Sequence, residues 1–279
     1  MNVRTWGGRA AAVVLAAGIP LGLVGCQSVQ TTRGGVVGVD RTQTMSRLVS
    51  EAELRQGAEQ AYREEIGKER QKGAVNTDAA LTQRVRAIAA RLTPVTGAFR
   101  PDAPGWAWEV NVIRSDQVNA WCMPGGKIAF YTGILDQLKL TDDEVAMVMG
   151  HEMAHALREH ARERMAKNTA TDLGLRLGAQ LLGLGQAGDL AANVGTQLLT
   201  LKYSRDDETE ADLVGLEIAA RAGYNPQASV ALWKKMAAAN GSNGPPGFLS
   251  THPTGPERIK QLEANVPKVQ GLYEQARNS

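Results

Sequence analysis

Apolar residues fall at helical spacing over most of the chain beyond position 44. Over residues 45 to about 72, and again over 78–92, charged and apolar residues mix in a 3.6-residue rhythm, and Leu81, Val85, Ile88 and Leu92 form one stripe. Pro94 is expected to close the second of these helices. Alternation over 106–113 predicts a half-buried strand, and a second extended stretch covers 118–131, interrupted by Pro124-Gly125-Gly126. Thr141, three residues ahead of Glu144, makes a capping box, and Asp142 and Asp143 suit the positive end of the macrodipole. A helix should therefore run from there to about residue 167, buried through Val145, Val148 and Met149. Residues 173–201 contain only two charges, Arg176 and Asp189, in pieces too short to span a bilayer. They read as a buried or substrate-covering helical hairpin that turns near 183–188. Further helices are expected over 204–223 and 226–239, then a Gly/Pro/Ser loop over 240–255, a short helix over 256–265 and a tail over 267–279. The fold class is α+β and predominantly helical, with a small sheet ahead of the 141–167 helix.

At 279 residues and 43% apolar content, the chain can bury one substantial core. Lys and Arg number 31 against 29 Asp and Glu, and Arg4 and Arg9 fall within the first 25 residues, which hold no acid. The chain from residue 26 onward is formally balanced, without the basic field that nucleic-acid binding requires, so nucleic acid is excluded as a partner. Arg4 and Arg9 precede an uncharged run over 10–23, the layout of a secretory signal over residues 1–25. The run ends in Leu23-Val24-Gly25-Cys26, which resembles the lipobox of bacterial lipoproteins. That resemblance implies lipidation at Cys26 and attachment to a membrane. Gln27 in place of Asp implies the periplasmic side of the outer membrane. Residues 26–44, rich in Thr, Gln, Gly and Val, are then expected to be a lipidated terminus and flexible tether. Cys122 would be the remaining thiol, so no disulfide can form within the mature chain.

The chemistry concentrates in His151-Glu152-Met153-Ala154-His155. Residues four apart lie about 40° from one another around a helix, so both imidazoles can face one zinc ion while Glu152 reaches the metal's water. Catalytic zinc takes three protein ligands and leaves a position for water. His160 lies about 140° round a continuous helix and points away. Glu159 is nearer the right face but a turn further along, so a ligand from another element closes the site better. The acidic segment Ser204-Arg205-Asp206-Asp207-Glu208-Thr209-Glu210-Ala211-Asp212 is the source that stands out.

The first motif followed by Ser-Arg-x-x-Glu-x-x-Ala-Asp resembles family forty-eight of the metallopeptidases, the group containing HtpX and the CAAX prenyl proteases. The resemblance covers roughly residues 45–266 and implies a gluzincin-like zinc peptidase domain with one Zn2+ ion per chain. His151, His155 and Glu208 would be its ligands and Glu152 the general base. Asp212 matches the family's Asp four residues after the ligand, and would accept a ring N–H from a zinc-bound His. Asn119-Ala120-Trp121-Cys122-Met123-Pro124-Gly125-Gly126 resembles the family's Asn-Ala-x-x-x-Pro-Gly-Gly segment, an edge strand that pairs with substrate backbone; Asn119, Ala120, Pro124, Gly125 and Gly126 are the matching positions. Thr251-His252-Pro253 and Glu257-Arg258-Ile259 match the periplasmic members. His252 is either a latch on the open zinc position or a loop residue capping the following helix. Tyr203, His252 and Arg205 are alternatives for the group that stabilises the transition state.

The function so implied is endopeptidase action on unfolded or misassembled envelope proteins. The competing reading is a lipoprotein chaperone or assembly factor with a structural or latched zinc. Prenyl-protein processing fits poorly, because those relatives span the membrane several times and no second apolar span is present here. Substrate preference and oligomeric state have no signal in the sequence.

Overall fold

The computed structural model describes residues 27–45, 50–168, 194–239, 247–253 and 255–278. The expected secretory leader, Cys26 and positions 173–193 of the expected hairpin lie outside the described residues.

A three-stranded sheet lies between two layers of helices. Its strands are β3 (Glu109–Ile113), β4 (Ala120–Met123) and β5 (Lys127–Tyr131), in the order β3-β5-β4. β3 runs parallel to β5 and β4 antiparallel to it, so β4 is an edge. Val110, Val112, Cys122, Ile128 and Phe130 enter the main core with α2 (Ala79–Val95) and α4 (Asp142–Leu157). The alternate positions Ile113, Trp121, Met123, Ala129 and Tyr131 meet Ala58, Tyr62 and Ile66 of α1 (Glu51–Gln71). The strand expected to be half-buried is thus covered on both faces. Its polar Asn111 is buried because Tyr62, Asn76 and Arg86 satisfy it. The β4–β5 turn needs its glycines: Gly125 and Gly126 have φ of 87° and 85°, and a Cβ on Gly126 would stand 2.6 Å from the Trp108 ring. A short α3 (Thr132–Gln137) follows.

The capping box of α4 forms as expected: Thr141 Oγ1 accepts from the Glu144 N–H and Glu144 Oε2 from the Thr141 N–H, at 3.3 and 2.8 Å. The helix is buried from Glu144 to Leu157 and packs most extensively on α7 (Arg205–Arg221). The two backbones cross at a pair of glycines. A Cβ on Gly150 would meet the Gly215 carbonyl oxygen at 2.7 Å, and one on Gly215 would meet the His151 nitrogen at 2.6 Å. Only Gly against Gly permits this approach, which brings α7 within reach of the His151-Glu152 turn.

Several expectations need correction. The helix does not continue unbroken to 167: it ends at Leu157, Glu159 takes a left-handed φ of 55°, and helix resumes as α5 over 160–168. Pro94 lies inside the last turn of α2 instead of ahead of it, where it costs one backbone bond and little else. The loop over 240–255 contains a short helix, α9 (Gly247–Thr251). The expected tail belongs to α10 (Pro256–Arg277), which continues through Pro267 because Leu262, Val266 and Val269 extend one buried stripe against α7 and α8 (Gln227–Ala239).

The expected tether is also folded. β1 (Gln27–Val29) and β2 (Gln43–Met45) pair antiparallel, and the strap over 27–45 lies on the body of the domain. Val37, Val39 and Met45 are buried. The N–H groups of Val36 and Val37 donate to the Glu217 carboxylate, and Arg41 reaches Glu163, Asp207 and Glu210. Composition gave no sign of this, because the charged and backbone groups that fix the strap find partners as distant in sequence as Glu163, Asp207, Glu210 and Glu217.

Candidate metal centre

α4 presents His151 and His155 one turn apart, and α7 presents Glu208 and Asp212 one turn apart across the glycine crossing. The start of α7 is fixed by a second capping box, Ser204 with Asp207. α9 brings in His252, whose ring stacks on Phe248 with centroids 4.4 Å apart. Ligand atoms of His151, His155, Glu208 and His252 then all lie within 4.8 Å of one another, in full burial.

The separations have a particular size. His151 Nε2 is 3.1 Å from His155 Nε2 and 3.2 Å from His252 Nδ1, and Glu208 Oε1 is 3.0 Å from His252 Nδ1 and 3.5 Å from His155 Nε2. Four atoms bound tetrahedrally at zinc-ligand lengths stand about 3.3 Å apart. Arg258 Nη1 pairs with Glu208 Oε2 at 2.7 Å, and Glu152 Oε1 is buried without a donor. An orphaned Glu152 oxygen and the Glu208 carboxylate beside three imidazoles are what a bound cation would satisfy. The donor set fits zinc.

Electrostatics agree. Burial pushes the Glu152 carboxyl above its usual range, with His252 and His151 opposing. Burial also opposes ionisation of Glu208, but His252, the contacts with His155 and His252, and Arg258 outweigh it and hold the group well below the carboxylate range. His155 is driven well below the ordinary imidazole value by burial, which keeps it in the neutral form a metal requires. Burial works against a charge on His252, yet Glu208 and Glu152 outweigh it and raise its pKa. The raised pKa favours a charged His252 facing the two glutamates, whereas a bound metal would require its neutral ring.

Behind the cluster, Asp212 Oδ1 is 3.0 Å from His151 Nδ1, as expected of a carboxylate that fixes the ring's tautomer. Burial raises the Asp212 pKa, and Arg258 with the His151 hydrogen bond more than reverses this. Arg258 donates to both Asp212 oxygens at 2.7 Å and covers the Trp233 ring at 3.6 Å. Sequence reasoning gave Arg258 no role. His160, set aside as pointing away, is no member of the cluster, but the break at Glu159 turns its ring onto the outer nitrogen of His155. Glu159 pairs with Arg100 and Arg162.

Tyr203 stacks on His155 with centroids 3.9 Å apart, and its ring is 5.4 Å from that of His252. Arg205 is exposed on the first turn of α7 and takes no part in the cluster. β4 flanks the site, with the Cys122 backbone N–H turned to the Glu152 carboxylate. Further along, the Ala120 N–H is taken by the Asn119 side chain and the Val118 carbonyl by the Phe248 N–H. Pro124 and Gly125 line the neighbouring hollow with His155 and Tyr203, and Gly126 completes the turn. Residues Leu198 and Leu199 of α6 (Val194–Thr200) pack on the Trp121 side of the sheet. The cleft between β4, α6 and His252 has about 30 Å³ of free volume, room for water and not for a peptide.

The profile of peptidase family M48 matches residues 79–266. The mitochondrial metalloendopeptidase OMA1 of Schizosaccharomyces pombe is 39% identical over 165 residues, 58% of this chain and 48% of that protein. Metalloprotease LoiP of Escherichia coli K12 is 26% identical over 255 residues, covering 90% of this chain and 94% of its own. The β-barrel assembly-enhancing protease of Escherichia coli O157:H7 is 29% identical over 208 residues, 71% of this chain and 42% of that protein. The chain spans about half the length, or less, of the OMA1 proteins it matches. With the family profile running from α2 through the metal cluster into α10, the chain belongs to peptidase family M48.

Proposed function

We propose that the protein is a zinc-dependent endopeptidase of the cell envelope that cuts unfolded or misassembled proteins. The observation behind this reading is the pairing of the His151, His155, Glu208 and His252 cluster with a buried, donor-free Glu152 oxygen 3.4 Å from His252 Nε2. Zinc in that cluster would polarise a water and bring its pKa toward about 7. Glu152 takes the proton of the attacking water and returns it to the leaving amine. Its raised pKa suits both halves of that transfer. Substrate backbone pairs with β4 once Asn119 and Phe248 release the groups they occupy. Tyr203, stacked on the His155 ring, is the candidate donor to the developing oxyanion, and the exposed Arg205 is not.

His252 fills the corner that a water would use, so the resting enzyme is latched, and His252 must swing out with the α9 segment before substrate enters. The envelope location and the lipid anchor rest on the expected leader over 1–25 and on Cys26, and the relative named for β-barrel assembly agrees with an envelope location. The relative named for enhancing β-barrel assembly supports β-barrel proteins in assembly as substrates.

A second reading, a chaperone or assembly factor with structural zinc, is favoured by one observation: four protein side chains fill the cluster, the pattern of closed structural sites. Casein cleavage by the wild type and by Glu152→Gln separates the two. The peptidase reading expects turnover only in the wild type, with equal zinc content in both; activity equal in the two proteins, or absent from both, would reject it.

A further inference from the structure

The His155 ring has two nitrogens, and only one faces the cluster. The other, Nδ1, lies 2.9 Å from His160 Nδ1, and His160 Nε2 lies 3.0 Å from Glu210 Oε2. His160 has no exposed surface. Glu210 is held from three directions: Arg158 donates to Oε2 at 2.7 and 2.9 Å, Gln43 donates to Oε2 at 3.1 Å, and Arg41 donates to Oε1. Arg41 and Gln43 come from the strap, and Arg158 is tied to it through Thr32 and the Arg41 carbonyl.

The proton order along this chain is set from its carboxylate end. A carboxylate only accepts, so His160 donates from Nε2, and in its neutral form it keeps a lone pair on Nδ1. That lone pair requires a proton on His155 Nδ1, which leaves the Nε2 lone pair of His155 facing His151, Glu208 and His252. We propose that His160, Glu210 and the Arg41 strap are positioning residues that fix the tautomer and ring angle of His155 for zinc. This rests on the zinc reading above. His151 has the same support in a shorter form, through Asp212 and Arg258. The two histidines of α4 are thus backed by separate carboxylate and arginine clamps, and the one behind His155 is completed by residues 27–45, about 110 positions earlier in the chain.

The test uses the full chain stripped of metal, with zinc affinity read by competition against a chelating indicator, the ligand-field spectrum after Co2+ loading, and the melting temperature of the apoprotein. His160→Leu should weaken zinc about 10- to 100-fold and shift the Co2+ spectrum. His160→Gln, which offers an oxygen to His155 and an N–H to Glu210 in the same order, should recover most of that loss. Arg41→Gln, which leaves Glu210 to Arg158, should weaken zinc several-fold. Wild-type affinity and spectrum in His160→Leu would overturn the proposal, as would a melting temperature that falls in all three variants while affinity stays constant. Should His160→Leu not fold, Arg41→Gln decides, since a merely structural role predicts unchanged affinity there and this proposal a several-fold loss. Wild-type protein that takes up no zinc would refute the underlying site instead, and this proposal with it.

Discussion

The site depends on how closely α4 and α7 approach, and the Gly150–Gly215 crossing sets that distance. A Cβ on Gly215 would stand 2.6 Å from the His151 nitrogen, 2.7 Å from the Gly150 carbonyl carbon and 2.9 Å from the His151 Cα. These are backbone atoms of a buried helix and cannot rotate away. Ordinary contact begins near 3.5 Å, so Gly215→Ala must part the helices by roughly 1 Å. Asp212 and Glu208 lie one and two turns before Gly215 on the same helix and move with it. A site of this kind tolerates only about 0.5 Å of displacement, and ligand distances about 0.2 Å. Zinc affinity should therefore fall at least about tenfold. Overpacking costs about 1–3 kcal/mol, against which Ala regains up to about 1 kcal/mol of helix propensity. Gly67 in α1, where an added Cβ meets nothing within 4 Å, measures that gain alone. Relative to Gly67→Ala, the Gly215→Ala apoprotein should melt about 2–12 °C lower. Calorimetry of both apoproteins and a zinc competition titration give the answer. If Gly215→Ala gains stability as Gly67→Ala does and keeps wild-type zinc affinity, helix approach does not set the site.

Asp212→Asn keeps the shape behind His151 but removes the charge that Arg258 holds; zinc affinity should drop about 10- to 100-fold by competition titration, and no change would show that His151 needs no such support. His252→Ala should raise peptidase rate and reduce the protein ligands seen by X-ray absorption from four to three; a rate that collapses instead would make His252 the oxyanion donor and end the latch. Burial raises the Glu210 pKa, but His160, Arg41 and Arg158 reverse this and bring it down to about 2 from 4.5. Because the folded value is the lower one, its stabilisation, about 3 kcal/mol as an order of magnitude, is present above pH 4.5 and lost as pH falls toward 2; urea unfolding of the zinc-free protein across that window should show the loss, and Arg41→Gln should shrink it.

What the sequence revealed and what it hid divide along a physical line. The capping box at Thr141, the His-His spacing on α4 and the Pro-Gly-Gly turn are local: each is decided by residues within four positions of one another, and each forms. The acidic run stands out as the source of a third ligand, but Glu208 within it is singled out only by the family pattern, and α7 does deliver it. The break after Leu157 had no such sign. A Glu in left-handed conformation is unfavourable by itself and persists where the surroundings over-determine it. Here Arg100 and Arg162 hold Glu159 from outside, and the His155–His160–Glu210 chain fixes the start of α5.

The strap shows the same limit more sharply. Read alone, 27–45 has too little apolar content to fold, and a tether is the right conclusion from composition. Its structure comes from charges that α5 and α7 bury: Glu163 and Asp207 have no exposed surface, and carboxylates so placed require a cation. Arg41 supplies it to both, and to Glu210 as well. The acids that give α7 the appearance of a solvated face are thus mostly internal, shared between the metal cluster through Glu208 and Asp212 and the strap through Asp207 and Glu210. One helix face that reads as surface is where the two ends of the described chain meet the metal centre: Arg258 from α10 on one side, Arg41 from the strap on the other.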